Sequence, residues 1–170
     1  MKHIEQEGIM IDHSWPPPLV KIANYGGDVF RYYEALYEIY CQDLVYDPPE
    51  FEGMAVSTLV EPWKDGKEAG FWHILEGGRE GDLPDKLWRH ERIRWVRALI
   101  EAAHTDRVRL WKVPLKRKLV RPHIALPDFS YLVVLEQNPR FVKLITAFPI
   151  ERPHWREKKR QEWEEYKNKD

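Results

Sequence analysis

The sequence contains almost no cysteine, and this scarcity limits how the fold can be stabilised. Its single cysteine, Cys41, cannot form a disulfide within the chain, so stability has to come from a packed core. Apolar residues on both sides of Cys41 predict a buried, structural thiol. We therefore expect a protein that folds in a reducing compartment, the cytoplasm.

Long apolar runs are also missing. No stretch approaches the ~20 apolar residues of a membrane-spanning helix, and no apolar segment of the secretory type follows the first residues, so we expect no membrane partner. The 27 basic and 28 acidic residues nearly cancel, unlike the charge of proteins that cover nucleic acid over a wide footprint. A local basic cleft is compatible with this balance, because charge can be concentrated at one site.

Signatures of several enzyme classes are absent from the sequence. It has no P-loop, no complete dinucleotide-binding glycine pattern, no zinc motif of paired cysteines or histidines, and no serine-hydrolase elbow. These absences predict a protein that works without a metal or an organic cofactor.

What the sequence does contain is a succession of helix and strand patterns that fits one domain over residues 1–170. Residues 1–24, with three consecutive prolines, are expected to be irregular, residues 25–150 to form the core, and residues 151–170 to form a charged C-terminal helix. Periodicity predicts helices at 29–44 and 83–103, strands at 54–60, 70–75, 108–113, 131–136 and 141–148, and loops at 77–81 and 114–127.

The order of these segments predicts an α+β fold with a twisted, mainly antiparallel sheet and peripheral N- and C-terminal helices. The Asp65–Gly66 turn signal is expected to join strands 54–60 and 70–75 as a hairpin. The long helix 83–103 should pack on one face of the sheet through four residues on one side of the helix: Trp95, Val96, Leu99 and Ala103.

A few polar side chains fall on the predicted elements. His73 lies in the expected strand 70–75 with Glu76 at its end, Arg92 lies among apolar positions of the long helix with Arg89 one turn earlier, and Thr146 lies in the last strand. Each has an ordinary alternative: a structural histidine, a helix-edge ion pair, a β-favoured threonine. Together they suit metal-free phosphate chemistry, with His or Glu moving protons, Arg neutralising charge and Thr positioning an oxygen.

The residues also resemble a known superfamily. The runs FWHILEGG, PDKLWRHERIRWVRALIE and YLVVLE, with a last strand ending in TAF, are similar to phage- and mobile-element-associated nucleases of the barnase–EndoU–colicin E5/D–RelE superfamily. The resemblance covers about residues 54–150. It implies a curved antiparallel sheet and metal-independent RNA cleavage, in which a ribose 2′-OH attacks the adjacent phosphorus.

By that resemblance, the catalytic roles fall on His73, Glu76, Arg92 and Thr146, and substrate binding falls on Arg89 and Phe148. Phe148 stands where the superfamily often has tyrosine, so it can stack on a base but cannot donate a proton. The expected function is a toxin-like or phage-associated endoribonuclease, with RNA such as tRNA and an inhibitor protein as partners. The alternative is a catalytically silent member of the same fold that binds RNA or a protein.

Overall fold

The computed structural model describes residues 15–77 and 83–169, which form an α+β fold as the sequence predicts. The described elements, in chain order, are α1 (Val29–Tyr40), β1 (Glu50–Phe51), β2 (Met54–Ser57), α2 (Ala69–Glu76), α3 (Leu83–Glu91), α4 (Ile93–Glu101), β3 (Arg109–Pro114), β4 (Val120–Ala125), β5 (Tyr131–Asn138), β6 (Phe141–Pro149) and α5 (Pro153–Tyr166). A short 3₁₀ turn (Ile22–Tyr25) precedes α1, and a π-helical turn (Cys41–Tyr46) follows it.

The strands form one strongly curled sheet in the order β1-β2-β6-β5-β4-β3. All neighbouring strands run antiparallel except β2 and β6, which are parallel, so the expectation of a curved, mainly antiparallel sheet is confirmed. The parallel pairing is short and involves only Val142 and Lys143 of β6. From Leu144 onwards, the outer edge of β6 has no strand partner among the described residues.

Each face of the sheet carries its own apolar cluster. The larger cluster joins Val133 and Leu135 of β5 to helices α1, α2 and α4. The smaller one joins Leu132 and Val134, on the opposite face of β5, to Trp163 of α5 and its neighbours. The charged C-terminal segment is therefore a helix, as predicted, but it packs on the sheet as well as facing solvent.

The predicted packing of helix 83–103 is confirmed for its second half. Val96 and Leu99 of α4 are fully buried in the larger cluster, and Trp95 and Ala103 pack at its margin. The prediction of one continuous helix is wrong, because the backbone leaves helical geometry at Arg92, with φ −101° and ψ 17°. The segment is thus two helices, α3 and α4.

Residues 70–75 form helix α2, so the predicted strand and its hairpin with 54–60 are wrong. Phe71 and Leu75 lie four positions apart and both are fully buried, which is helical spacing. The turn at Asp65–Gly66 does form, with Lys64 and Lys67 exchanging two backbone hydrogen bonds of 3.0 Å, but it leads into a helix.

The predicted loop 114–127 is also wrong, since it contains the inner strand β4. Asp28 caps the N-terminus of α1, because its carboxylate accepts a hydrogen bond from Arg31 N at 3.2 Å. Cys41 is buried, as expected. Residues 15–21 have no regular structure, and most of the predicted loop 77–81 and of the irregular segment 1–24 lies outside the described residues.

Candidate functional site

Helix α2 lies along the unpaired edge of β6 and encloses a cavity there of about 270 Å³, which we call the edge cavity. Its floor is formed where β2 separates from β6, and its cover is α2. The polar groups that line it are Ser57, Thr58, His73 and Lys143. The apolar lining consists of Leu59, Gly70, Ile74, Leu144 and Ile145. His73, selected from the sequence, therefore faces a cavity, although it does so from a helix.

Arg89 of α3 reaches the same edge further along β6. Its Nη1 donates a hydrogen bond to the Ala147 carbonyl oxygen at 3.4 Å, and its guanidinium lies 5.6 Å from the centre of the Phe148 ring. The guanidinium also packs against Gly77 at the end of α2, where an added Cβ would lie 2.7 Å from Arg89 Nη2. Gly77 has φ +65°, a conformation that favours glycine, so it permits this close approach.

The positive charge of Arg89 acts on the imidazole of His73. Burial lowers the pKa of the His73 imidazole, and the positive charge of Arg89 lowers it further. Burial also lowers the pKa of the Arg89 guanidinium, which forms no salt bridge with any described carboxylate. A neutral imidazole near an uncompensated guanidinium can accept a proton from a bound group and attract an anion.

A second cavity of about 660 Å³, which we call the α5 pocket, opens beside Arg89 between the end of β6 and the start of α5. Arg156 Nε donates a hydrogen bond to the Ile150 carbonyl oxygen at 2.6 Å and so fixes α5 against β6. The side chains lining the pocket are Arg89, Phe148, Pro149, Ile150, Glu151, Arg152, Trp155 and Lys159. Arg89 and Phe148, predicted to bind substrate, thus share one pocket.

The structure does not bring Thr146 to His73. Thr146 pairs with Val134 of β5, and Val134 packs in the cluster beneath α5. Residues directly opposite in an antiparallel pair share a face, so Thr146 lies on the face away from α2. Its side chain lines neither of the two cavities.

Arg92 has other partners. Its guanidinium packs against the rings of Trp88 and Trp95, 5.1 Å and 5.0 Å from their centres, and its Nη1 donates to the Trp88 carbonyl oxygen. Arg89, one turn earlier, is the arginine whose charge acts on His73. Glu76 follows His73 on α2 and raises the pKa of Tyr33 by its charge, after burial as the larger cause.

Several residues of the two cavities were missed in the sequence. Arg152, Trp155 and Lys159 follow at spacings of three and four, which place them on one side of a helix, and this periodicity was the available signal. No local sequence signal marked the other three polar residues, Ser57, Thr58 and Lys143. They come close to α2 only because β2 pairs in parallel with β6.

Comparison of this chain with protein-family models, with curated proteins and with solved structures found no match. None of the described helices has the length and apolar character needed to cross a lipid bilayer. Across residues 15–77 and 83–169, no three His, Cys, Asp or Glu side chains are grouped as a metal would require.

Proposed function

We propose that the protein is a metal-independent endoribonuclease whose reaction centre lies at the unpaired edge of β6, between His73 and Arg89. The observation that carries the proposal is geometric: His73 lines the edge cavity, and Arg89, which has no described carboxylate partner, reaches the same edge of β6 through the Ala147 carbonyl oxygen. The resemblance to small ribonucleases supports RNA as the substrate.

The proposed reaction is transesterification within RNA. The ribose 2′-oxygen forms a bond to the adjacent phosphorus while the bond from phosphorus to the 5′-oxygen breaks. His73 takes the 2′-OH proton, for which a neutral imidazole is the required form. Glu76, three positions beyond His73 on α2, is the proposed donor of a proton to the leaving 5′-oxygen. The products are a cyclic phosphate and a free 5′-hydroxyl.

Arg89 is the proposed stabiliser of the charge that builds on the non-bridging phosphate oxygens. A guanidinium has a planar fork of donors that matches these oxygens, and partial burial strengthens its interaction with an anion. Its contact with the Ala147 carbonyl and the Phe148 ring holds the fork in place before substrate arrives.

A second candidate function is a silent RNA-binding protein of the same fold. The observation that favours it is the position of Thr146. This residue lines neither the edge cavity nor the α5 pocket, so the threonine hydroxyl expected from the resemblance is absent from both. RNA binding requires the Arg89 guanidinium and the aromatic rings of the α5 pocket, whereas RNA cleavage also requires the proton-transfer groups of His73 and Glu76.

RNA cleavage in the presence of EDTA separates the two functions. We expect the wild type to cut single-stranded RNA and leave a 2′,3′-cyclic phosphate, and to leave intact a substrate with one 2′-deoxy sugar at the cut site. His73→Ala should lose ~10²- to 10⁴-fold in rate, the usual cost of a positioned proton-transfer group. Arg89→Gln should lose ~10²- to 10³-fold.

Matched controls keep the result specific. His104→Ala and Arg94→Gln remove the same side-chain types from exposed positions that line neither cavity, and both variants should cleave at the wild-type rate. Thermal melting of each variant checks that loss of activity is not loss of fold. If the wild type leaves every tested RNA intact but still binds RNA, the protein is the silent RNA-binding candidate. If it neither cleaves nor binds RNA, both proposed functions are wrong.

A further inference from the structure

We infer that the α5 pocket is a binding subsite for one nucleotide of single-stranded RNA, two or three nucleotides away from the edge cavity, and that it shares Arg89 with the reaction centre. The inference rests on the proposed function for the identity of the polymer and adds a part of the molecule, helix α5, that the proposed reaction does not use. Three observations carry it: the charge of the pocket, its aromatic rings, and its position along β6.

The pocket is positively charged. Arg89, Arg152 and Lys159 line it, against the single carboxylate Glu151. Lys159 is partly compensated by Glu162, 3.4 Å away, but neither Arg89 nor Arg152 forms a salt bridge within residues 15–77 and 83–169. The excess of cations in a concave surface attracts phosphate groups, although the whole chain is almost neutral.

Two aromatic rings line the same pocket. The Phe148 ring lies under the Arg89 guanidinium, and Trp155 on the first turn of α5 is 48% exposed. The Lys158 ammonium lies 4.4 Å from the centre of the Trp155 ring, so a base stacked there would have a cation close by. Aromatic rings beside cations match a nucleotide, whose base stacks while its phosphate pairs with the charges. An acidic peptide would use the cations and leave the rings unused.

The position of the pocket fits a strand of RNA that follows the edge of β6. The edge cavity contacts β6 at Lys143–Ile145, and the α5 pocket contacts its end at Phe148 and Pro149. Ile145 and Phe148 are three positions apart, which is roughly 10 Å along a strand. This equals about three stacked nucleotides at ~3.4 Å each. Arg89 lies between the two cavities and is near the expected path of the phosphates.

Binding of a fluorescein-labelled single-stranded octaribonucleotide, measured by fluorescence anisotropy in EDTA, tests the subsite directly. The parent protein is His73→Ala, so that binding is read without cleavage. Adding Trp155→Ala should weaken binding ~5- to 150-fold, the range expected for loss of one base stack. Trp155→Phe should restore most of the affinity. Adding Arg152→Gln should reduce the slope of log affinity against log salt by about one phosphate contact.

The controls are Trp63→Ala and Lys116→Gln in the same parent. Trp63 is 50% exposed, much like Trp155, and Lys116 is exposed in the turn between β3 and β4, and neither lines the α5 pocket. Both variants should bind within about twofold of the parent, since neither removes a stack or a phosphate contact. Circular dichroism melting verifies that every variant is folded.

The outcomes separate the subsite from the reaction. RNA binding that depends on Trp155, in a protein whose wild type cleaves no RNA, supports the subsite and overturns the ribonuclease. Wild-type cleavage combined with Trp155→Ala binding equal to the parent overturns the subsite and leaves the ribonuclease standing. Absence of RNA binding by the parent overturns the subsite, and so does tighter binding of poly-glutamate than of RNA.

Discussion

Burial lowers the pKa of the His73 imidazole, and the guanidinium of Arg89 lowers it further, although the two residues belong to different helices. Gly77 makes this relationship possible, because a side chain at that position would collide with the guanidinium. The three residues couple the end of α2 to α3 at the open edge of β6. Their coupling can be tested one residue at a time.

Replacing Arg89 with glutamine should raise the pKa of His73. Burial is the larger cause of the lowered pKa and remains, so the new value should stay below the ordinary one of about 6.5. NMR titration of the imidazole C–H protons measures the change. If the protein cleaves RNA, the rise of kcat/KM with pH should move to higher pH in parallel. An unchanged His73 titration in Arg89→Gln, matching that of the exposed control Arg94→Gln, would show that the two groups are not coupled.

Replacing Gly77 with alanine should displace the guanidinium of Arg89. The new Cβ would lie 2.7 Å from Arg89 Nη2, at a φ of +65°. The matched control is Gly27→Ala, which has φ +72° and no atom within 4 Å, so it carries the same backbone strain without the contact. We expect both variants to lose about 1 kcal/mol or more of stability, and only Gly77→Ala to raise the pKa of His73. A shift of equal size in both variants would contradict the contact.

The core beneath α4 should be sensitive to loss of volume at Leu99. This side chain is 0% exposed, and Leu99→Ala should cost about 2–5 kcal/mol in free energy of unfolding, because the methyl groups are lost and a cavity remains. Arg94→Ala, on the exposed side of the same helix, should stay within about 0.5 kcal/mol of wild type. Urea denaturation measures both, and similar losses would mean that α4 presents a different face to the sheet.

Stability should fall as the solution is acidified, and His90 should contribute to this fall. Burial, assisted by the charge of Lys86, lowers the pKa of His90 to about 4 in the folded protein. In the unfolded chain His90 takes up a proton near pH 6.5, whereas in the folded protein it stays neutral until the pH is much lower. The contribution of His90 to the free energy of unfolding is therefore complete above about pH 6.5 and is lost as the pH falls towards 4. The full contribution is about 3 kcal/mol.

The His90→Phe variant isolates this contribution. Phenylalanine keeps a ring beside those of Tyr32 and Tyr33 and removes the buried Nε2, which has no hydrogen-bond partner in the described structure. Between pH 7 and pH 4.5 the variant should lose less free energy of unfolding than wild type. His154→Phe, at an exposed position, should keep the wild-type pH dependence. Parallel pH curves for all three proteins would rule out a role for His90.

Helix α2, which was predicted to be a strand, shows where sequence patterns cannot distinguish a helix from a strand. Phe71, Trp72, Ile74 and Leu75 leave almost no polar position to mark a period, and a short apolar run fits a buried helix as well as a strand. Helices and strands with a clear period, such as α1 and β6, were predicted correctly. Tertiary packing against the sheet decides the form of α2.

Strand β4 was missed for a different reason. Pro122 has no amide hydrogen and therefore argues against an inner strand. In the structure, no Cα pairing with β5 is formed at Arg121 and Pro122, whereas both residues pair with β3. The strand tolerates proline because the ladder with β5 is interrupted there, which depends on a partner far along the chain.

The candidate site was only partly predictable. His73, Arg89 and Phe148 stood out in the sequence because their chemistry differs from that of their apolar surroundings, and the structure places all three along one edge of β6. Arg92 was assigned a catalytic role and Arg89 a role in substrate binding, but the break between α3 and α4 places Arg89 against β6, and no proline or glycine marks that break. Contacts formed by the parallel pairing of β2 and β6 carry no local signal at all.

The short pairing between β2 and β6 also bears on self-association. A strand edge with unpaired amide and carbonyl groups is a template for a strand from another molecule. Helices α2 and α3 lie against this edge. Arg89 donates a hydrogen bond to the Ala147 carbonyl oxygen, and the charged side chain of Lys143 lies where the pairing with β2 ends. Lys143, which lines the edge cavity, and Arg89, which lines the α5 pocket, therefore also protect the edge of β6 from pairing with a strand of another molecule. The Arg89→Gln variant should accordingly be more prone to aggregate, so its oligomeric state should be measured alongside its activity.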